Sequence, residues 1–164
     1  MPAKEEVAAV YREAHAAIRE ALDGIDDASY RKVPGGDEWA IANILAHVIE
    51  SQEFWLSQIE RLLKEPGATI GRIDEVSRRS RERAIEDGSR APFADLWSRL
   101  ERVTIAGQRR LQELAEDGLL RSGTQHTSSG VRLASVGDLF LYIAGHIEEH
   151  AQQIVNMRAK LSAP

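Results

Sequence analysis

The sequence predicts an all-α fold: a four-helix bundle with a long crossover between its second and third helices. Apolar residues recur every three or four positions through four long segments, which is the period of amphipathic helices. No segment shows the alternating pattern expected of a central sheet. With 164 residues, the chain is long enough for one domain with its own core and short for two. We therefore expect a single domain over residues 1–164.

The first two helices are each marked by one apolar stripe. The first stripe covers residues 7–25 and the second covers residues 41–62. Asp37 is a plausible N-cap for the second helix, because its side chain can accept a hydrogen bond from a backbone N–H of the first turn. We expect that helix to open at Glu38-Trp39. Pro66-Gly67 should end it, since neither residue favours continuation of a helix.

The third and fourth helices follow the same pattern. An apolar stripe over residues 93–114 begins directly after Pro92, and this helix should end near Gly118. The last stripe covers residues 136–161, and its helix should start around Ser135. Four long amphipathic helices that face one another bury a shared core, which is the architecture of a helix bundle.

Two connections between the helices are informative. The segment 66–92 is long, so the second and third helices should not form a simple hairpin. Its middle, "DEVSRRSRERAIEDG", predicts a short exposed helix whose arginines lie in solvent, although these arginines would meet an anionic cofactor if the crossover folded over a site. In "QHTSSGVRL", Ser129-Gly130 can turn a small two-stranded ribbon. The crossover arginines considered for this contact are Arg72, Arg78, Arg79, Arg81 and Arg83.

Composition excludes several classes of function. The formal net charge is −5, with no concentrated basic face, so we expect no nucleic-acid partner. The chain has no cysteine, which excludes disulfides, thiolate metal sites and cysteine nucleophiles. The N-terminal "MPAKEEVAAVYREAH" lacks the apolar region of a signal peptide, and no apolar run is long enough to span a membrane. We therefore expect a cytoplasmic location without membrane contact.

The segment "GHIEEHA" carries the strongest chemical signal. His146 and His150 are four residues apart, so they share one face of a helix and can present ring nitrogens to one point. His47 in "NILAHVIES" occupies the same shoulder of its own apolar stripe and is the best candidate for a third ligand. Three neutral imidazoles can hold a divalent metal and leave positions open for water or substrate. Gln153 lies on the same side and could hydrogen-bond a ligand.

The histidines and the motif around His146 also have other interpretations. We interpret His15 and His126 as ordinary hydrogen-bonded residues, the second of them in a loop. The same interpretation stays open for the His146–His150 pair, because spacing alone does not prove a metal site. The string also matches H-x-x-E-H with Glu149 as general base, but such peptidases need a further downstream carboxylate and this chain ends soon after His150.

Two stretches of the chain together resemble the DinB/YfiT-like superfamily. They are "DEWAIANILAHVIESQEFW" (37–55) and "SVGDLFLYIAGHIEEHAQQI" (135–154), and the likeness spans nearly the whole chain. The resemblance implies a four-helix bundle with a divalent metal, most often zinc or nickel, held by three histidines. Carried over to this chain, the ligands would be His47, His146 and His150. The resemblance also implies a frequent homodimer.

The resemblance leaves three functions open. The first is a metalloenzyme that activates a low-molecular-weight thiol, such as bacillithiol or mycothiol, for S-transfer to a small electrophilic substrate in detoxification. The second is a metal-dependent hydrolase that activates water and wants a general base, for which Glu50, Glu149 and His15 are weak candidates. The third is a non-catalytic dimeric protein that binds a metal or another ligand. Nothing in the sequence identifies the substrate.

Overall fold

A computed structural model describes residues 2–36, 38–127 and 130–162. Four long helices dominate it, and two shorter helices and one 3-10 helix lie between them. The predicted all-α four-helix bundle is confirmed. The α-helices are α1 (Lys4–Leu22), α2 (Asp27–Arg31), α3 (Ile41–Lys64), α4 (Glu75–Ser89), α5 (Phe93–Glu113) and α6 (Val136–Ser162), and the 3-10 helix is Glu116–Leu120.

The core lies between the four long helices. α1 packs mainly against α6, and α3 packs against α4, α5 and α6. Buried side chains from all four long helices form one hydrophobic cluster, in which the rings of Tyr11 and Phe140 meet edge to face at 5.6 Å. Burial of such apolar area is the main favourable term in folding. Among the described helices, none combines the length and apolar character that a membrane span requires.

A small sheet covers one part of the bundle. It contains β1 (Thr69–Gly71), β2 (Ser122–Thr127) and β3 (Gly130–Ser135) in the order β1-β2-β3. β2 and β3 are antiparallel, as the predicted ribbon requires, while β1 from the crossover adds a parallel strand that was not expected. Ser129 of the predicted turn lies outside the described residues. The sheet connects the crossover to the segment before α6.

The predicted start of α3 at Glu38-Trp39 is wrong, because the helix begins at Ile41. The backbone of Ala40 is extended, with φ −71° and ψ 161°, so the helix cannot include it. Its N–H donates to the side-chain oxygen of Asn43 at 3.2 Å, which closes the first turn from inside the helix. The predicted N-cap, Asp37, lies outside the described residues.

The end of α5 also differs from the prediction. The helix stops at Glu113 rather than near Gly118, because Leu114 adopts an extended backbone with φ −69° and ψ 134° and buries its side chain. Gly118 belongs to the following 3-10 helix. The other limits agree with expectation: α3 ends just before Pro66-Gly67, α5 starts directly after Pro92, and α6 starts after Ser135.

One arginine of the crossover contacts α3 closely. Nη2 of Arg72 lies 2.5 Å from Oε1 of Glu50, and its Nη1 donates to the carbonyl oxygen of Ser77 at 3.1 Å. The guanidinium also lies 3.9 Å from the ring centroid of Phe54 on α3. Charge-assisted contacts of a half-buried pair are stronger than those of exposed pairs. The ion pair therefore places β1 and α4 over one side of α3.

Helix packing predicts opposite effects for two glycine substitutions. We expect Gly107→Ala to lower the free energy of unfolding by about 1–2 kcal/mol, because the added methyl would overlap the buried hydroxyl of Tyr11 and lie 2.6 Å from its Cζ. Gly145→Ala should instead raise it by about 0.5–1 kcal/mol, since that exposed helical position has no atom within 4 Å of the new Cβ.

Denaturant unfolding of the two variants and the parent chain measures both values. Because both changes add the same methyl group to a helical glycine, each serves as a control for the other. Equal effects of the two substitutions would contradict the close approach of α1 and α5 at Gly107.

Candidate metal centre

Three histidines from two helices meet at one point. Nε2 of His47 on α3 lies 3.0 Å from Nε2 of His146 on α6, which in turn lies 3.2 Å from Nε2 of His150. One ring nitrogen from each residue falls within 4.8 Å of the other two. α6 presents its two imidazoles from successive turns, because residues four apart lie on one helix face. The packing of α3 against α6 supplies the third.

The donor set fits a divalent metal. Two nitrogens bound to one zinc at about 2.0–2.1 Å with tetrahedral angles would lie about 3.3 Å apart. The Nε2···Nε2 distances of 3.0 and 3.2 Å are close to that value. Imidazole nitrogens suit zinc, nickel, copper and iron, so the donors do not select one of them. His47, His146 and His150 can therefore bind a metal together.

Hydrogen bonding orients one of these rings. Nδ1 of His150 lies 2.7 Å from Oε1 of Gln153, and the Nδ1–H group donates to that oxygen. This bond fixes the tautomer in which the Nε2 lone pair of His150 points toward the other histidines. The hydrogen bond expected from the position of Gln153 is confirmed. On the α3 side, the ring of Trp39 packs edge to face with His47 at 5.5 Å.

The surroundings keep two of the imidazoles neutral. Burial lowers the pKa of His47 to about 3, with further lowering by His146 and Arg81. Burial likewise lowers the pKa of His146 to about 4, helped by His150 and Arg81. Each of these causes disfavours a positive charge on the ring. At neutral pH both rings are thus in the uncharged form that binds a metal.

A cavity of about 580 Å³ opens beside the histidines. The predicted placement of the crossover arginines in solvent is wrong for Arg72 and Arg81, because both are half-buried in the cavity wall. It holds for the exposed Arg78, Arg79 and Arg83, although Arg78 also lines the cavity. The residues that line the cavity are His47, Ser51, Trp55, Arg72, Ile73, Arg78, Arg81, Glu82, His126, Thr127, Tyr142 and His146.

The remaining two histidines, His15 and His126, lie in different environments. His15 is only 1% exposed, with Nδ1 2.7 Å from the carbonyl oxygen of Tyr11 and Nε2 2.8 Å from Oε1 of Gln52, so the prediction of a hydrogen-bonded structural residue is confirmed. His126 was predicted in a loop, but it lies in β2 and lines the cavity. Its pairing with Val131 belongs to the ribbon predicted from "QHTSSGVRL", whereas no local sequence pattern signals its pairing with Gly71 in β1.

None of the general bases considered from the sequence is free beside the histidines. Glu50 is paired with Arg72, and its second carboxylate oxygen is buried without a hydrogen-bond partner within the described residues. Glu149 is exposed and lines a different surface cavity with Glu38 and Trp39. His15 is engaged in the core. The arrangement therefore offers three histidine nitrogens beside a wall that contains three arginines and the exposed carboxylate of Glu82.

Comparison with known proteins identifies the family. The sequence model of the DinB superfamily matches residues 11–154, which is most of the chain. The chain belongs to the DinB superfamily. The family resemblance carried by the two histidine-bearing segments is thus confirmed. No curated protein sequence gives a significant match.

Solved structures of DinB-like proteins share the fold. YfiT from Bacillus subtilis, described as a probable metal-dependent hydrolase with an unusual four-helix bundle topology, superposes with a TM-score of 0.72 at 16% identity, covering 95% of this chain and 87% of that one. A mycothiol-dependent maleylpyruvate isomerase superposes with a TM-score of 0.77 at 17% identity. That match covers 94% of this chain but only 61% of the isomerase.

A third structure overturns one exclusion made from composition. The colibactin self-resistance protein ClbS, solved in complex with double-stranded DNA, matches with a TM-score of 0.73 at 16% identity, covering 97% of this chain and 98% of that one. The exclusion of a nucleic-acid partner is therefore wrong. A net charge of −5 sums over the whole surface, whereas nucleic-acid contact depends on the charge of one face.

The lowered pKa values predict how stability depends on pH. In the unfolded metal-free chain, His47 and His146 take up protons near their ordinary pKa of 6.5, but in the folded chain they do so only near pH 3–4. Between these values the unfolded state binds more protons, so acidification favours unfolding. The free energy of unfolding should be fully retained above about pH 6.5 and fall as the pH drops toward 4.

Denaturant unfolding of metal-free protein at several pH values measures this slope. His47→Gln, which removes one of the two titrating rings, should give a shallower decline over the same window. An unchanged slope in His47→Gln would contradict the assignment of this pH dependence to the lowered pKa of His47.

Proposed function

We propose that this chain is a divalent-metal-dependent enzyme that activates a low-molecular-weight thiol for transfer to a small electrophile. His47, His146 and His150 are the proposed metal ligands, and zinc or nickel is the proposed ion. The observation that carries the proposal is the approach of one ring nitrogen from each histidine to within 4.8 Å of the other two. A divalent ion held there would supply a Lewis acid that makes a thiol or water more acidic.

The chain's own residues prepare this chemistry. Gln153 holds the ring of His150 with its Nε2 lone pair inward, and burial keeps His47 and His146 uncharged. Three imidazoles leave coordination positions open, as catalytic sites require. The adjoining cavity has room for a small molecule. Because the chain has no cysteine, the thiol must come from a second substrate.

Two relatives bear on the choice between thiol and water. The isomerase of similar fold is mycothiol-dependent, which favours the thiol. This chain spans only 61% of the isomerase, so we do not assign the complete activity of the isomerase to it. YfiT is described as a probable metal-dependent hydrolase, which makes hydrolysis the second candidate. Of the general bases considered from the sequence, Glu50, Glu149 and His15, none is free beside the histidines, whereas the exposed Glu82 lines the same cavity.

Three expectations from the sequence stay predictions. They are the single-domain extent of residues 1–164, the cytoplasmic location and the homodimer implied by the family resemblance. A non-catalytic role in binding a metal or another ligand is the remaining alternative for function. The assay described below distinguishes it from both enzymes.

Removal of one proposed ligand should abolish metal binding without preventing folding. We expect His150→Ala to remain helical and folded, because this side chain lies at the edge of the core, but to lose bound metal during purification without nickel resin. His126→Ala is the matched control, since that ring lines the cavity without joining the cluster, and it should retain metal. Elemental analysis together with circular dichroism measures both outcomes. Equal metal content in the two variants would rule out this ligand set.

The choice of reaction is tested with a thiol and an electrophile. Zinc-loaded protein incubated with 1-chloro-2,4-dinitrobenzene should form product faster than free zinc only when a thiol such as cysteine is added. Product formed in water alone, from an activated ester, would favour the hydrolase. Turnover no higher than free metal in both assays, with metal still raising the melting temperature, would favour a binding protein. The His150→Ala variant should lose any activity that depends on the metal.

A further inference from the structure

The arginines of the cavity wall differ in what they contact. Arg72 is committed to Glu50 and to a carbonyl oxygen of the crossover. Arg78 pairs at 3.4 Å with Glu75 at the exposed end of α4. Within residues 2–36, 38–127 and 130–162, Arg81 forms no ion pair with a carboxylate, although it is half-buried. A half-buried guanidinium without an anionic partner is an available site for an anion.

Among the described residues, the one side-chain hydrogen-bond contact of Arg81 points to the same conclusion. Its Nη2 lies 3.4 Å from Nδ1 of His47, a long and weak approach. When Nε2 of a neutral His47 offers its lone pair to the cluster, the ring hydrogen must be on Nδ1. Two N–H donors then face each other with no acceptor between them. An oxygen atom of an anion could accept from both groups.

We propose that the cavity binds a small molecule bearing a carboxylate, and that Arg81 is the residue that pairs with this carboxylate. The planar guanidinium matches a carboxylate with two parallel hydrogen bonds. The aromatic rings of Trp55 and Tyr142, which pack edge to face at 5.1 Å, provide an apolar wall for the rest of the molecule. The identification of this molecule as a substrate or thiol co-substrate rests on the proposed function. The pairing of Arg81 with a carboxylate does not.

The nearby acidic residue is compatible with this assignment. Glu82 also lines the cavity, but it is exposed and follows Arg81 directly in α4. Adjacent helical residues point about 100° apart, so the two side chains leave the helix in different directions. Glu82 therefore repels an anion from its own side of the cavity and favours binding of the carboxylate at Arg81, next to His47.

Benzoate and benzamide test the proposal, because they share one shape and differ by one charge. Calorimetric titration of metal-free protein excludes direct coordination of the carboxylate to an ion. The parent chain should bind benzoate about tenfold or more tightly than benzamide, as expected for a charge-assisted pair. Arg81→Gln should reduce this ratio to about 1. Arg83→Gln, which removes an equal charge from an exposed position of the same helix, should retain it.

Three results would overturn the assignment. They are equal binding of the two probes by the parent chain, retention of the ratio by Arg81→Gln, and its loss in Arg78→Gln with Arg81 intact. Circular dichroism confirms that each variant is folded. The benzoate preference is measured without metal, so it is independent of the proposed function. A parent chain that binds no metal but prefers benzoate would refute the metalloenzyme and leave the carboxylate site standing.

Discussion

The packing of α3 against α6 is the constraint on which the rest of the site depends. It brings three ring nitrogens close together in a setting where burial disfavours protonation of His47 and His146. Neutral imidazoles whose lone pairs converge repel one another unless a proton or a cation lies between them. The core helices must hold this arrangement, and the apolar cluster around it supplies the stabilisation. Such a costly placement of polar groups is typical of functional sites.

The crossover converts the histidine cluster from a surface feature into the wall of a cavity. The ion pair between Arg72 and Glu50 places β1 and α4 beside α3, and β1 extends the sheet formed by β2 and β3. α4 then contributes Arg81 next to His47, and β2 contributes His126. The long connection is therefore part of the site, even though its sequence is strongly charged and its helix is largely exposed.

The fold supports more than one chemistry. Proteins of this architecture are described as a probable hydrolase, a thiol-dependent isomerase and a DNA-bound resistance protein, all at 16–17% identity to this chain. At such identity the bundle is shared, while the residues that line the site are free to differ. In this chain the cavity beside the histidines has arginines contributed by the crossover on its wall, together with the rings of Trp55 and Tyr142. These features, rather than the histidines, should determine which small molecule binds.

The sequence by itself determined the helices and the pairing of His146 with His150, because apolar period and four-residue spacing act within one helix. It also indicated His47 and Gln153 from their positions on helix faces. The tertiary structure decided where α3 begins, that His126 lies in a strand, and that Arg81 faces the cavity while Arg83 faces solvent. The start of α3 depends on the extended backbone of Ala40 and its local contact with Asn43, which the apolar period does not reveal. The positions of His126 beside β1 and of Arg81 in the cavity depend on contacts between segments far apart in the chain. A charged residue on a crossover helix has the same local sequence pattern whether it faces solvent or a cavity.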